Sequence, residues 1–132
     1  MSFKLGVKAF AKKMGRDVND IKRLVAIDIF GKIITESPVD TGRFRNNWNT
    51  SLNKPNYSTT LETDQSGQKA KDGILSVIQG AKVEDDIYLS NGLPYAKRLE
   101  NGWSRQAPTG MVRINVARFS SAMKQAVQGR LK

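Results

Sequence analysis

The spacing of the hydrophobic residues predicts helices near both ends of the chain. Over residues 3–14, apolar side chains recur at helical spacing, which favours a first helix: Phe3, Val7, Phe10, Ala11 and Met14. Residues 17–37 are more apolar still, and they predict a buried central helix that Asp17 caps and Pro38 ends. Residues 112–131 begin with a strand-like alternation, but a helical spacing runs longer there and predicts a long C-terminal helix.

Between these segments the pattern predicts short strands, turns and shorter helices. We expect strands over 47–53 and 87–89, and a polar exposed loop over 54–68 with a possible short strand at 58–62. A helix should follow the loop and end at Gly80, and a two-turn helix should run from Pro94 to Gly102. The predicted fold class is therefore α+β, with a small antiparallel sheet flanked by a long N-terminal and a long C-terminal helix.

Length and composition narrow the range of functions. The 132 residues fit a single domain over 1–132, with a basic helical extension over 1–16. The chain contains no cysteine and no histidine, so disulfides and the commonest metal ligands and general bases are excluded. We expect no metal site, no cofactor and no enzymatic activity. Apolar runs fall short of the roughly 20 residues that a membrane span needs, and we find no signal peptide.

The positive charge lies at the two ends of the chain. The net charge is +10, and residues 1–32 carry eight basic and three acidic residues, while residues 103–132 carry six basic and no acidic residues. The middle of the chain is nearly balanced. Such a distribution indicates an acidic partner, which could be a nucleic acid or an acidic protein face, or else a surface charged only for solubility.

The triplet Asp40-Thr41-Gly42 has two interpretations. Dimeric aspartic proteases of about this length carry the same triplet at the end of an apolar strand. Here a helix and Pro38 precede it, and two arginines follow it closely, which would favour an ionised Asp40 over a shared proton. We therefore interpret Pro38, Asp40 and Gly42 as a structural turn, in which the carboxylate caps the backbone and the glycine supplies a positive φ.

Residues 91–112 are specific in sequence without carrying catalytic groups. Pro108 and Gly110 force a defined turn into the last predicted helix, and Trp103 lies in the loop after Gly102, where an indole is a good interface anchor. The alternative is a corner that serves folding alone. We predict that this segment builds a docking surface, with interface residues Tyr95, Leu99, Glu100, Trp103, Gln106 and Met111.

Two segments about 50 residues apart stand out in the sequence: "ESPVDTGRFRNNW" and "IYLSNGLPYAKRLENGWSRQAPTGMV". Together they resemble the bacteriophage tail-component family of neck and tail-completion proteins. The resemblance departs at Trp103, where many members have a polar residue. The residues that match the family pattern are Pro38, Val39, Asp40, Thr41, Gly42, Arg43, Asn91, Pro94, Tyr95, Ala96, Leu99, Glu100, Gly102, Ser104, Gln106, Ala107, Pro108, Gly110 and Met111.

The resemblance implies a structural subunit of the head-tail connector. Such proteins assemble as rings, commonly sixfold, between the head and the tail tube, so the implied partners are other copies of the chain, head-closure proteins and tail-tube or terminator proteins. The implied location is the virion, and the host cytoplasm during assembly. Arg113, Arg118 and Lys124 could line the lumen and contact genomic DNA weakly, or face an adjoining ring. From charge alone, the alternative is a small basic nucleic-acid-binding protein.

Overall fold

The computed structural model describes residues 1–5, 18–82, 84–119 and 121. Within them, five helices pack with one small three-stranded antiparallel sheet, and the chain is α+β. The strands are β1 (Ser2–Leu5), β2 (Trp48–Leu52) and β3 (Ile87–Asn91), and the helices are α1 (Val18–Glu36), α2 (Arg43–Asn46), α3 (Gln68–Ile78), α4 (Ala96–Glu100) and α5 (Val112–Ala117).

The prediction of long terminal helices that flank the sheet is wrong. The chain starts with a strand, and the sheet order is β1-β3-β2, with β3 antiparallel to both neighbours. Phe3 and Leu5 lie on the core face of β1, and the Phe3 ring meets Phe30 of α1 edge to face at 5.8 Å between centroids. An apolar spacing of four residues fits the period of a strand as well as that of a helix, so the pattern that begins at Phe3 was ambiguous. Residues 6–17 lie outside the described residues.

The predicted C-terminal helix is described only at its start. Helix α5 covers Val112–Ala117, and most of the predicted extent to residue 131 lies outside the described residues. Helix α4 is also shorter than the predicted helix, because it begins at Ala96 and not at Pro94. In the middle of the chain, residues 58–62 form no strand, and α3 ends at Ile78, capped by Gln79 in place of Gly80.

Helix α1 forms the centre of the core, as its apolar sequence predicts. Helix α1 packs against α3 and α5, and its Phe30 meets Phe3 of β1. Its buried apolar residues recur in a repeat of four, which gives a wide stripe: Ile21, Val25, Ala26, Ile29, Phe30, Ile33 and Ile34. On the sheet, Ile87 and Leu89 of β3 are fully buried. A stripe this wide explains why the helix needs neighbours on several sides and cannot be an exposed terminal arm.

The opposite face of the sheet is polar and is covered by the segment 54–62. Alternate side chains of β2 and the residue before it hold this segment by bonds to its main-chain carbonyls: the amide of Asn47 donates to Thr60, that of Asn49 to Ser58, and the hydroxyl of Ser51 to Lys54. A Cβ at Gly92 would overlap the carbonyl group of Tyr57, so only glycine allows this close crossing. Segment 54–62 therefore lies over the sheet without pairing as a strand.

Candidate functional site

The two sequence segments that carry the family resemblance meet in space. The side-chain amide of Gln106 accepts a hydrogen bond from the main-chain N–H of Val39 and donates one to the Val39 carbonyl, both at 2.8 Å. These residues are 67 positions apart, and the side-chain amide pairs with the main chain as a neighbouring strand would. The turn around residues 38–43 and the corner around residues 94–111 therefore form one unit.

A cleft of about 260 Å³ lies between the two segments. Three of the six predicted interface residues, Tyr95, Leu99 and Gln106, stand in its wall opposite the 38–43 turn. The Tyr95 ring packs against the ring of the buried Phe44, with 6.0 Å between the ring centroids. The full lining is Pro38, Val39, Asp40, Thr41, Gly42, Arg43, Phe44, Tyr95, Leu99, Ser104 and Gln106.

The Asp40-Thr41-Gly42 segment forms a turn that leads into α2. Gly42 has φ +94°, and a Cβ there would come within 2.5 Å of the main-chain nitrogen of Gln65, so the predicted role of this glycine is confirmed. The prediction that Asp40 caps the turn is wrong. The hydroxyl of Thr41 accepts the bond from the Arg43 N–H, and the Asp40 side chain is exposed. The main-chain carbonyl of Asp40 accepts a bond from the Gln65 amide. The turn is thus tied to the loop before α3.

Glu100 stabilises the start of α5 from inside the chain. Its carboxylate accepts hydrogen bonds from the main-chain N–H groups of Met111, Val112 and Arg113, at 2.8, 2.9 and 2.9 Å. These N–H groups have no partner within the helix, and the helix dipole favours a negative charge at this end. Gly110, at φ +82°, brings the chain against Glu100. Met111, also predicted at an interface, is fully buried in the core, so both side chains have roles within one chain.

Trp103 is the predicted interface residue that the fold leaves most open. Its side chain is 72% exposed, while the other tryptophan, Trp48, is buried and donates its indole N–H to Ser37. The guanidinium of Arg98 stands over the Trp103 ring, 5.2 Å from its centroid. The main-chain N–H of Trp103 donates to the Arg98 carbonyl, which fixes the start of the loop on the end of α4. The indole is therefore held at the surface in a defined position.

The predicted lumen residues have different environments. Arg118 forms an ion pair with Glu36 at the end of α1, at 2.9 Å, so its charge is offset within the chain. Arg113 is exposed and donates to the carbonyl of Thr109, with the Glu100 carboxylate 4.0 Å away. Lys124 lies outside the described residues. Of the two described arginines, neither presents a free, uncompensated cation.

Two basic residues that the sequence did not single out hold the fold together. Arg45 donates to the carbonyls of Thr35, Ser37 and Gln65, and so satisfies carbonyls at the open end of α1. Lys22 is fully buried in the α1 stripe and donates to the Asp85 carbonyl, and desolvation lowers the pKa of its amine. Charge alone predicts surface positions for both, so only their neighbours in the fold reveal these roles.

Comparison with known proteins adds no relative: no family model, no curated protein and no solved structure matches this chain. Within the part of the chain that the structure describes, no group of three or more acidic side chains is placed to hold a metal ion. Among the described helices, none combines the length and the apolar character needed to cross a bilayer. Membership of the tail-component family therefore stays a prediction from the two sequence segments.

Proposed function

We propose that this protein is a structural subunit of a phage head-tail connector, a neck or tail-completion protein that assembles into a ring between head and tail tube. The observation that carries the proposal is the contact between Gln106 and Val39. The resemblance depends on two segments far apart in sequence, and these bonds join both segments into one corner. A shared structural task explains why one chain would carry both.

The matched residues also have the chemistry of a scaffold. Glu100 caps a helix, Gly42 and Gly110 supply positive φ angles, and Gln106 pairs with main chain. Each of these roles fixes the backbone, and the same backbone holds the cleft wall and Trp103 at the surface. This is the arrangement expected of a subunit that presents a rigid surface to neighbours, because rigid interfaces lose less entropy on assembly.

The proposal is tested by the assembly state of the purified protein. Mass photometry and electron microscopy at rising concentration, alone and with the tail-tube and head-closure proteins of the same phage, should show closed rings under at least one condition. Head-to-tail contacts of identical subunits generate rings when the rotation closes. A chain that stays monomeric under every condition, including the mixtures, contradicts the proposal.

A pair of glutamine variants separates the corner from general surface effects. Gln106→Ala removes both bonds to the 38–43 turn and should shift assembly to higher protein concentration. Gln79→Ala changes an exposed glutamine at the end of α3 and should assemble as the unchanged protein does. Equal assembly by both variants would show that the Gln106 bonds to the 38–43 turn do not contribute to assembly.

The second candidate is a small basic nucleic-acid-binding protein, which the net charge of +10 favours. Its signature is a steep loss of affinity with salt, because each phosphate contact releases counterions. Fluorescence anisotropy with duplex DNA over a range of salt concentrations measures this slope. Tight binding by a monomer with a steep slope, and no rings, would favour this candidate over the connector.

A further inference from the structure

We propose that an exposed basic corner, formed by Lys97, Arg98, Trp103 and Arg105, docks an acidic protein segment that also offers an apolar pocket. The basic corner lies at the end of α4 and in the loop after it, and all four residues are exposed. The proposal names the chemistry of a partner for the connector subunit, and to that extent it rests on the function proposed above.

The basic corner combines an aromatic anchor with a cation that stands over its ring. Arg98 covers one side of the Trp103 ring at 5.2 Å, which leaves the 72% exposed indole as a projecting apolar group beside a cation. Tryptophan and arginine are the residues that most often dominate binding energy at protein interfaces.

The charges of the basic corner have no acidic counterpart within the described part of the chain. Between residues 94 and 119 there are five basic residues and one acidic residue, Glu100, and that carboxylate is engaged at the start of α5. None of the ion pairs among the described residues involves Lys97, Arg98 or Arg105. Among the described residues these cations are therefore not offset, and they are available to an acidic group on another molecule.

A second copy of this chain offers little that fits. The acidic run 84–86 at the opposite end of β3 is partly neutralised, because Lys4 pairs with Asp86 at 3.4 Å and Lys22 lies against the same run. Glu36 pairs with Arg118. The exposed carboxylates outside that run, Asp20, Asp40, Glu62 and Asp72, lie on four separate elements. The complementary surface thus belongs to a different protein.

The exposed indole favours a protein partner over duplex DNA. Duplex DNA presents phosphates outside and keeps its bases stacked, so an indole gains contact only where base steps are opened, which costs a few kcal/mol per step. A protein surface can surround an indole with apolar side chains while carboxylates at the rim meet the arginines. The indole and the cations therefore both find partners on an acidic protein, whereas duplex DNA serves the cations alone.

The experiment is a titration of the isolated chain, which needs no ring and so separates this proposal from the connector proposal. The probes are a short synthetic peptide in which Asp and Glu flank Phe residues, the same peptide with Asn and Gln in their place, an oligo(dT) strand and a mixed-sequence duplex. Fluorescence reports on the site, because Trp103 is exposed and Trp48 is buried. We expect the acidic peptide to shield Trp103 from iodide quenching, and the amide peptide to bind about tenfold more weakly.

Two matched variants locate the binding. Arg98→Gln with Arg105→Gln should weaken the acidic peptide about tenfold. Lys54→Gln with Lys69→Gln removes the same charge from other exposed positions and should leave the affinity unchanged. Circular dichroism checks that both variants fold. If oligo(dT) or the duplex binds more tightly than the acidic peptide at the same residues, the partner is a nucleic acid and the proposal is overturned. If both variants weaken the peptide equally, or if the peptide does not shield Trp103, the basic corner is only a solvated surface.

Discussion

Replacing Glu100 by alanine tests whether one carboxylate joins α4 to α5. In the folded chain its two oxygens accept bonds from three consecutive main-chain N–H groups, those of Met111, Val112 and Arg113, at 2.8 to 2.9 Å. The side chain is only 15% exposed. Alanine removes both acceptors, and the N–H groups of Met111 and Val112 are in partly buried surroundings where water replaces the carboxylate poorly.

The expected loss of stability follows from the number and kind of bonds. A hydrogen bond to a charged group contributes about 1.5–3 kcal/mol, and loss of a helix cap costs about 0.5–2 kcal/mol. The Arg113 bond is exposed, so water replaces much of it. We therefore expect Glu100→Ala to lower the free energy of unfolding by about 2–4 kcal/mol. For a chain of this size each kcal/mol lowers Tm by about 3–5 °C.

Urea denaturation with a common slope measures the change, and hydrogen exchange of the Met111, Val112 and Arg113 amides locates it. Glu100→Gln keeps the shape and one acceptor oxygen, so it should lose about half as much. The matched control is Glu62→Ala, since Glu62 is exposed and should change stability by less than about 0.5 kcal/mol. If Glu100→Ala and Glu62→Ala unfold alike, or the three amides exchange no faster, the carboxylate does not hold α5.

Three further predictions concern the turn glycines and the acidic caps. Gly92→Ala should lower the free energy of unfolding by about 1–3 kcal/mol, because the new Cβ would overlap the Tyr57 carbonyl. Gly31→Ala, inside α1 with open space around the new Cβ, should be neutral or stabilising by up to about 1 kcal/mol. Urea denaturation compares the two variants. Asp40→Asn should change the free energy of unfolding by less than about 0.5 kcal/mol, because its carboxylate is exposed and the Thr41 hydroxyl accepts the main-chain bond of the turn. A larger loss in the same assay would show that the Asp40 carboxylate caps the turn. Hydrogen bonds from the Lys69 main chain and from Ser66 lower the pKa of Asp64 below its ordinary value. The stability that the ionised carboxylate contributes is therefore complete above the ordinary pKa and is lost as pH falls through the lowered pKa. An NMR titration should show the depressed pKa, and Asp64→Asn should reduce the acid sensitivity of folding.

The candidate site could be predicted in part. The sequence identified Tyr95, Leu99 and Gln106, which share a cleft, and Trp103, which stands exposed beside it. Sequence position could not separate these from Met111, which is buried, because an apolar residue in a loop is equally compatible with core and surface.

The basic residues were harder to assign from sequence. In the sequence Arg118 has no acidic neighbour, and only the fold brings it to Glu36. Nothing in the sequence around Arg45 predicts that it binds carbonyls at the end of α1. The partner of a charge is set by residues that are distant in sequence. A count of charges therefore predicts that an acidic partner is needed, but it does not predict which cations are available to meet one.

By itself the sequence determined the elements whose signals are local. Each of these signals lies within one continuous segment: the broad apolar stripe of α1, the β-prone residues of β2 and β3, and the glycine that turns the chain at residue 42. Tertiary structure decided the rest. Phe3 became part of a strand because β3 offered an open edge and α1 offered Phe30 to pack against, although the spacing from Phe3 to Val7 in the sequence also suited a helix. Glu100 became a cap because the corner at Gly110 returned the chain to it. Local propensities differ by about 1 kcal/mol or less per residue, so long-range burial and hydrogen bonding decide wherever two local patterns are both acceptable.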